Sequence, residues 1–312
     1  MVYGGFLNFR PQYSRHGQRD IARTGTRKEF LFCEEEDDSH AIAEELSSRF
    51  FTHSPDAILS FVTGNQNFHS WKRDDYQSAL QAGIVKLLST FDLMVIDDGL
   101  NYGLTRLVSA AIRVHEEYRN YVGTAGVVKY GEPRNSPVYH LAFVVLSKMS
   151  PICRGRFQEF SSHTEGFEFD VDEQFRDLHD SGRQIDIDRL HSHYVLFQGR
   201  DYTRRILAEK QLQIELALRD LKTATESVFM PLVVFFIQGG LEELDRIALY
   251  IDLRVPVIIM DGCGGMADLV ANALRTSLEN CDESTIRRNL SASLLSAFPA
   301  LHEDSEQLAK IR

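Results

Sequence analysis

The sequence predicts an α/β fold: a Rossmann-like, doubly wound and mainly parallel sheet flanked by helices. Two observations predict this fold class. The first is a set of short runs that are apolar on both faces, as buried parallel strands are. The second is that longer segments, in which apolar residues recur at helical spacing, alternate with these runs. Such alternation is typical of open sheets that have helices on both faces. The chain has 312 residues, of which 43% are hydrophobic, so it can bury a sizeable core.

Six apolar runs predict strands, and the patterns between them predict helices. The strand runs are residues 57–63, 91–97, 122–128, 193–197, 231–237 and 255–260. The predicted helices are residues 77–89, 104–118, 203–222 and 241–251. Residues 149–190 are polar, lack sustained periodicity and are interpreted as a surface insertion.

Composition excludes several classes of protein. The net charge of -11 leaves no surplus of Lys and Arg to neutralise a nucleic acid, so no nucleic-acid partner is expected. The four cysteines are scattered and form no CxxC pair, which argues against a zinc knuckle or a disulfide scaffold. No apolar run is long enough to span a membrane, and the first residues lack a signal-peptide core. We therefore expect a soluble, cytoplasmic chain that does not insert into the membrane.

Four glycine-containing turns follow predicted strands, where open parallel sheets bind their ligands. They are Thr63–Phe68, Asp97–Gly103, Gln238–Gly240 and Asp261–Gly265. The N-terminus of a helix offers free N–H groups and partial positive charge, and glycine lets a phosphate approach the backbone. Each turn is a candidate half of a phosphate site, although any one of them alone is also explained as a plain tight turn.

Two details of these turns weaken the phosphate interpretation. Residues 262–267 match the relaxed G-x-G-x-x-A dinucleotide pattern, but they follow the last predicted strand instead of the first. Asp97 and Asp98 place carboxylates where a phosphate would be repelled in a low-dielectric cleft. The second turn is therefore expected to have lost its ligand.

Candidate metal and catalytic groups are few. Consecutive carboxylates point to different faces, so the acidic run from Glu34 to Asp38 is interpreted as a solvated helix N-terminus instead of a calcium site. His191 and His193 would share one face of a strand, but no nearby carboxylate or cysteine completes a site, so a structural role is favoured and no metal is predicted. No G-x-S-x-G motif or reactive cysteine context occurs, so no catalytic residue is predicted.

The order of the motifs resembles the N-terminal cytosolic homology region of melastatin-type transient receptor potential (TRPM) channels, a Rossmann-like module of the SLOG superfamily. The most specific motif is IMDGCGGMADLV (259–270), which is similar to the D-G-S-G-x-A-D motif of that family. The others are YGGFLNF (3–9), SFVTGNQNF (60–68), LQAGIVKLLSTFDLMVIDDG (80–99), GVVKYG (126–131), HSHYVLF (191–197) and FIQGG (236–240).

The resemblance implies a domain organisation and a setting. Residues 1–56 would be an N-terminal segment packed on a SLOG domain of residues 57–278, and residues 279–312 would be a helical tail that begins the following region. The chain would be a fragment of a channel or a freestanding relative. Its partners would be other segments or subunits of a TRPM-like channel, which is a homotetramer at full length.

The resemblance also implies a ligand, namely ADP-ribose or a related nucleotide, and no other cofactor. The implied ligand-binding residues are Thr63, Gly64, Asn67, Gly99, Gly239, Gly240, Asp261, Gly262 and Gly264. The sequence departs from the family in having Asp97-Asp98-Gly99 in place of Thr-Gly-Gly and Gly265 in place of an arginine. Both changes weaken a pyrophosphate site, because charge-assisted bonds to phosphate contribute more than neutral ones.

Two alternatives stay open. The first is a purely structural interaction domain whose ligand site has decayed, which the departures at Asp97, Asp98 and Gly265 favour. The second is a nucleotide phosphoribohydrolase like the LOG proteins, whose motif is P-G-G-x-G-T-x-x-E. The nearest match, residues 238–243, lacks the glycine and the threonine that follow the variable position of that motif.

Overall fold

The structure is a computed structural model that describes residues 3–9, 26–34, 36–63, 71, 75–125, 138–145, 167–171, 187–198, 204–221, 229–278 and 282–298. The chain divides into two compact units. Unit 1 comprises Met1–Phe61 and Gln77–Val233, and unit 2 comprises Val62–Tyr76 and Val234–Arg312.

Unit 1 is built on a mostly parallel sheet. Its described strands are β1 (Tyr3–Phe9), β2 (Thr26–Glu34), β3 (Ala57–Thr63, of which the first five residues belong to this unit), β4 (Leu93–Asp97), β5 (Tyr139–Val145), β6 (Phe167–Val171) and β7 (His193–Gln198). Their order is β6-β1-β2-β7-β5-β4-β3. Among these strands only β1 and β2 pair in antiparallel fashion, and the other neighbours are parallel.

The central strands of this sheet are apolar because both of their faces are covered. Ile58 on β3, Met94 and Ile96 on β4 and Val144 on β5 are fully buried. Parallel strands with helices on both sides need apolar side chains at successive positions, which explains the continuous hydrophobic runs in the sequence.

Four of the described helices belong to unit 1: α1 (Ser39–Phe50), α2 (Tyr76–Thr90, of which Tyr76 belongs to unit 2), α3 (Gly103–Ala125) and α4 (Arg204–Arg219). Helix α1 begins after Asp38, whose carboxylate accepts the N–H of Ala41 at 2.9 Å. Its apolar stripe, which includes Ile42 and Leu46, is buried, and α1 packs against α4. The sequence therefore defines both the start and the inward face of this helix.

The described part of unit 2 contains most of β8 (Leu232–Ile237), β9 (Val257–Ile259) and three helices: α5 (Leu241–Asp252), α6 (Gly265–Leu278) and α7 (Glu283–Ala297). Strands β8 and β9 are parallel, with Val234 opposite Val257. Helix α6 contacts both α5 and α7. Each of the two strands ends in a glycine turn that leads directly into a helix.

The Rossmann-like fold class is confirmed, and so are the four predicted helices and five of the six predicted strands. The prediction of a strand at 122–128 is wrong for residues 122–125, because α3 continues to Ala125. Residues 126–131, including the remainder of that predicted strand, lie outside the described residues. Strands β1, β2, β5 and β6 were not predicted from the sequence.

Part of the predicted surface insertion contributes to the sheet. Residues 167–171 form β6, which pairs with β1 in parallel, from Gly5 opposite Phe167 to Phe9 opposite Val171. At the end of the same segment, Ile187 and Asp188 are buried. A polar segment without periodicity can thus still supply an edge strand and core side chains.

Candidate functional site

The turn after β8 contains two successive residues in the left-handed backbone region. Gln238 has φ 59° and Gly239 has φ 72°. A Cβ atom at Gly239 would lie 2.5 Å from the ring of Phe236, so both the backbone conformation and the packing require glycine. The N–H of Gly240 donates to Oε2 of Glu243 at 2.7 Å, which caps α5. A side-chain carboxylate therefore already binds one of the amides predicted to hold a phosphate.

The turn after β9 has the same character. Gly262 and Gly264 have φ angles of 87° and 82°. Their N–H groups both donate to Oδ1 of Asp268, at 2.7 and 3.1 Å. Asp261 is exposed and forms an ion pair with Arg275. This turn is a small anion-binding nest, and the anion that it holds is the carboxylate of Asp268.

The two turns of unit 2 contact each other through the first amides of α6. Met266 N–H donates to the carbonyl of Gly239 at 3.0 Å, and Ala267 N–H donates to that of Gln238 at 2.8 Å. The sulfur of Cys263 accepts the N–H of Gln238 at 3.1 Å and its S–H donates to the carbonyl of Met260 at 2.9 Å. The predicted residues Gly239, Gly240, Asp261, Gly262 and Gly264 are thus brought together.

The contact between these two turns explains why position 265 is a glycine instead of the arginine expected from the family resemblance. This residue has φ 66°, and a Cβ atom on it would lie 2.5 Å from the carbonyl oxygen of Gly239 and 2.8 Å from that of Gln238. An arginine cannot occupy this backbone conformation without displacing one turn from the other. The missing arginine is therefore linked to the close approach of the two turns.

The remaining predicted ligand residues are not all described. Thr63 is the last residue of β3 and belongs to unit 2. Gly64 and Asn67 lie outside the described residues. Gly99 belongs to unit 1, where its φ is 63° and a Cβ atom on it would lie 2.4 Å from the side chain of Ala142, so both the backbone and the packing require glycine.

The carboxylate of Asp97 points into the core of unit 1 and is 1% exposed. Its Oδ1 accepts from Nε2 of His191 at 2.7 Å and from the N–H of Gly99 at 2.8 Å, and its Oδ2 accepts from Nε2 of His140 at 2.9 Å. The two imidazole rings are stacked with centroids 3.6 Å apart. Asp97 is therefore matched by partners inside the unit.

Asp98 also has a local role. Its Oδ1 accepts the hydroxyl of Thr105 at 2.7 Å and the N–H of Leu100 at 3.1 Å. These bonds lie just before and within the first turn of α3, where a carboxylate is stabilised by the helix dipole. Both aspartates of this turn thus have partners within unit 1.

Charge and burial shift the pKa values of Asp97, His140 and His191 in different directions. Burial raises the pKa of Asp97, but the two facing imidazoles and their hydrogen bonds outweigh it, so the pKa lies well below its usual range. Burial and the neighbouring His191 lower the pKa of His140. Burial also acts to lower the pKa of His191, but Asp97 and Asp188 more than compensate and raise it.

The two histidines of the HSH motif do not share a site. His191 precedes β7 and bonds Asp97, whereas His193 is the first residue of β7, stacks on Phe50 at 4.3 Å and bonds the hydroxyl of Ser192. The prediction that both rings face the same side is wrong because His191 lies outside the strand, where side chains do not alternate regularly.

Sequence reasoning missed three groups at these sites. His140 was overlooked because β5 was not predicted, although YHLAFVV is an apolar run that could have revealed it. Asp268 and Glu243 were not recognised as acceptors. Their positions, three to six residues after the glycines they bind, are typical of helix-capping carboxylates and were available in the sequence.

Comparison with known proteins shows which domain this chain is similar to. Residues 163–311 match the family model described as "SLOG in TRPM". This segment is similar to the SLOG domain of TRPM channels. The chain is 23% identical over 263 residues to transient receptor potential cation channel subfamily M member 5 from Homo sapiens, covering 82% of this chain and 20% of that protein.

Other relatives of the SLOG domain belong to the same group of channels. Subfamily M member 2 from Mus musculus is 22% identical over 276 residues, or 85% of this chain and 16% of that protein. Subfamily M member 4 from Rattus norvegicus is 21% identical over 272 residues, or 84% of this chain and 20% of that protein. The chain thus spans at most about a fifth of the length of these relatives. Within the part that the structure describes, none of the helices has the length and apolar character needed to cross a bilayer.

Proposed function

We propose that this SLOG domain is a cytosolic regulatory and assembly module of a TRPM-like cation channel, and that it senses an ADP-ribose-type nucleotide at the turns after β8 and β9. The proposal rests mainly on one observation. Two adjacent turns in unit 2 lie at the carboxyl ends of parallel strands, lead into helices and contain left-handed glycines. In each turn glycine amides bind a carboxylate: those of Gly262 and Gly264 bind Asp268, and that of Gly240 binds Glu243.

The carboxylates in these turns indicate what the amides can bind. Asp268 accepts two glycine N–H groups and Glu243 accepts a third. A phosphate presents the same kind of oxygen to the same donors, so a diphosphate would compete with these carboxylates. We therefore propose a site that is held closed by internal anions when no ligand is present, and a ligand affinity that is reduced by this competition.

Gly240 offers a way to test the turn without disturbing the fold. Its backbone is extended, with φ -103° and ψ -167°, and an added Cβ would contact only Oε2 of Glu243, at 3.2 Å. Gly240→Ala is therefore tolerated by the backbone but places a methyl group where a phosphate must approach. Gly83→Ala is the matched control, since no atom lies within 4 Å of its Cβ position.

The experiment measures the melting temperature of the wild type and of both variants with and without ADP-ribose. A ligand at 100 times its dissociation constant adds about 2.7 kcal/mol to the stability of the folded state, which is a shift of several degrees. We expect this shift in the wild type and in Gly83→Ala, and a clearly smaller one in Gly240→Ala. A wild type that melts cooperatively without any shift at millimolar ADP-ribose contradicts nucleotide sensing.

A second candidate function is a structural interaction domain without a ligand. It is favoured by the satisfied state of the turns: their amides already have protein acceptors, and the exposed Asp261 is paired with Arg275. An unshifted melting temperature together with assembly into a channel complex supports this candidate.

A further inference from the structure

Three side chains from separate segments converge in the interior of unit 1. Asp97 ends β4, His140 lies on β5 and His191 lies two residues before the start of β7. One ligand atom from each lies within 4.8 Å of the other two, and all three residues are buried. This convergence is distinct from the glycine turns of unit 2.

We propose that Asp97, His140 and His191 bind one zinc-class transition-metal ion. Two imidazole nitrogens and one carboxylate oxygen are ligands that suit Zn²⁺ and neighbouring first-row ions, whereas Ca²⁺ and Mg²⁺ prefer sites made of oxygen alone. Three protein ligands leave a fourth position for water.

The geometry is close to what such an ion needs. Ligand atoms about 2.0–2.2 Å from a tetrahedral ion lie roughly 3.3 Å from one another. The Nε2 atoms of His191 and His140 lie 2.7 and 2.9 Å from the oxygens of Asp97. Because the three ligand atoms lie within 4.8 Å of one another, they need only a local rearrangement to surround one ion.

The surroundings of His191 support its role as a ligand. Its Nδ1 faces the carbonyl of Asp188 at 3.3 Å, and that carbonyl also accepts the hydroxyl of Tyr194 at 2.6 Å. Metal-binding histidines generally donate their second nitrogen to such a carbonyl, which directs the lone pair of the other nitrogen to the metal.

His140 is free to present Nε2 to an ion. Its Nδ1 is buried and has no hydrogen-bond partner among the described residues, so this nitrogen can carry the proton when Nε2, which donates to Asp97 without an ion, turns its lone pair to a metal. Its backbone is fixed by Ser192, which accepts the N–H of His140 at 2.8 Å and donates its own N–H to the carbonyl of His140 at 2.9 Å. Because the site is buried, the ion would act as a structural clamp between β4, β5 and the start of β7.

The test is a Co²⁺ titration of the purified chain after chelator treatment. We expect one Co²⁺ per chain, visible d–d absorption, no thiolate-to-cobalt charge-transfer band because no cysteine is a ligand, and displacement by Zn²⁺. His140→Gln is expected to weaken binding by at least about 100-fold, which is more than loss of an outer-shell partner causes. His193→Gln is the matched control, because this neighbouring histidine lies outside the cluster, and it should bind like the wild type.

The folding of each variant is checked by circular dichroism. If His140→Gln does not fold, the stoichiometry and spectrum of the wild type, with the His193→Gln control, still decide the question. The proposal is overturned by a folded wild type that takes up no Co²⁺ or shows thiolate ligation. It is equally overturned by a folded His140→Gln that binds as tightly as the wild type, or by loss of binding in a folded His193→Gln.

Discussion

Replacing Gly265 by alanine is expected to destabilise the protein by about 2–4 kcal/mol. The backbone φ of 66° costs a residue with a Cβ atom about 1–2 kcal/mol. In addition, the new Cβ would lie 2.5 and 2.8 Å from the carbonyl oxygens of Gly239 and Gln238, which accept the second and third amides of α6. Displacing these carbonyls weakens two hydrogen bonds, each of which contributes about 1 kcal/mol.

Gly83→Ala is the control for this substitution. Gly83 lies within α2 and has no atom within 4 Å of its Cβ position. Changing it to alanine should therefore stabilise the folded protein by about 0.5–1 kcal/mol. Urea denaturation followed by circular dichroism compares both variants with the wild type. A Gly265→Ala protein as stable as the wild type would refute the close approach of the two turns.

Three further outcomes are expected. Asp268→Ala leaves two glycine amides without their acceptor and should lower the free energy of unfolding in urea by about 1–3 kcal/mol. Asp268→Asn keeps an acceptor oxygen and should restore most of that stability. An equal loss of stability in both variants would show that the acceptor oxygen is not what matters. Tyr139→Phe removes the hydroxyl that accepts the N–H of Thr52 at 2.8 Å in a partly buried bond and should cost about 0.5–1.5 kcal/mol, so an unchanged unfolding midpoint would argue against that bond. Burial raises the pKa of the Cys33 thiol and raises that of the Cys263 thiol to about 11, so neither thiol should react readily with an alkylating reagent at pH 8. Peptide mapping by mass spectrometry should find both cysteines unmodified after alkylation of the folded protein and modified after alkylation in urea. Rapid labelling in the folded state would contradict their burial.

The sequence predicts the central strands well because their apolar runs reflect burial on both faces. Strand β4 is buried at every position, and its pattern is unambiguous. Strands β1 and β6 lie at one end of the sheet order and contain glycine or charged residues, so local composition does not distinguish them from loops. Their formation depends on pairing between distant segments, which a local pattern does not contain.

The candidate sites likewise contain some features that a local sequence pattern predicts and others that it does not. The glycine turns are predictable because a strand followed by glycine and a helix is a local pattern. The burial of Asp97 is not, because it depends on β5 lying beside β4, with Asp97 opposite Ala142, and on His191 arriving from a third segment. The sequence alone suggested that Asp97 repels a ligand, whereas the structure directs its charge toward two imidazoles in the core.

The most direct test of the proposed nucleotide site is the change in the amide NMR signals of Gly239, Gly240, Gly262 and Gly264 when ADP-ribose is added. These amides include the ones that Asp268 and Glu243 bind, so a nucleotide that competes with those carboxylates must perturb them. We predict saturable shifts concentrated at these four glycines and at the side chains of the two carboxylates. Signals that stay unchanged at millimolar ADP-ribose, or that shift only elsewhere in the folded protein, would contradict the account.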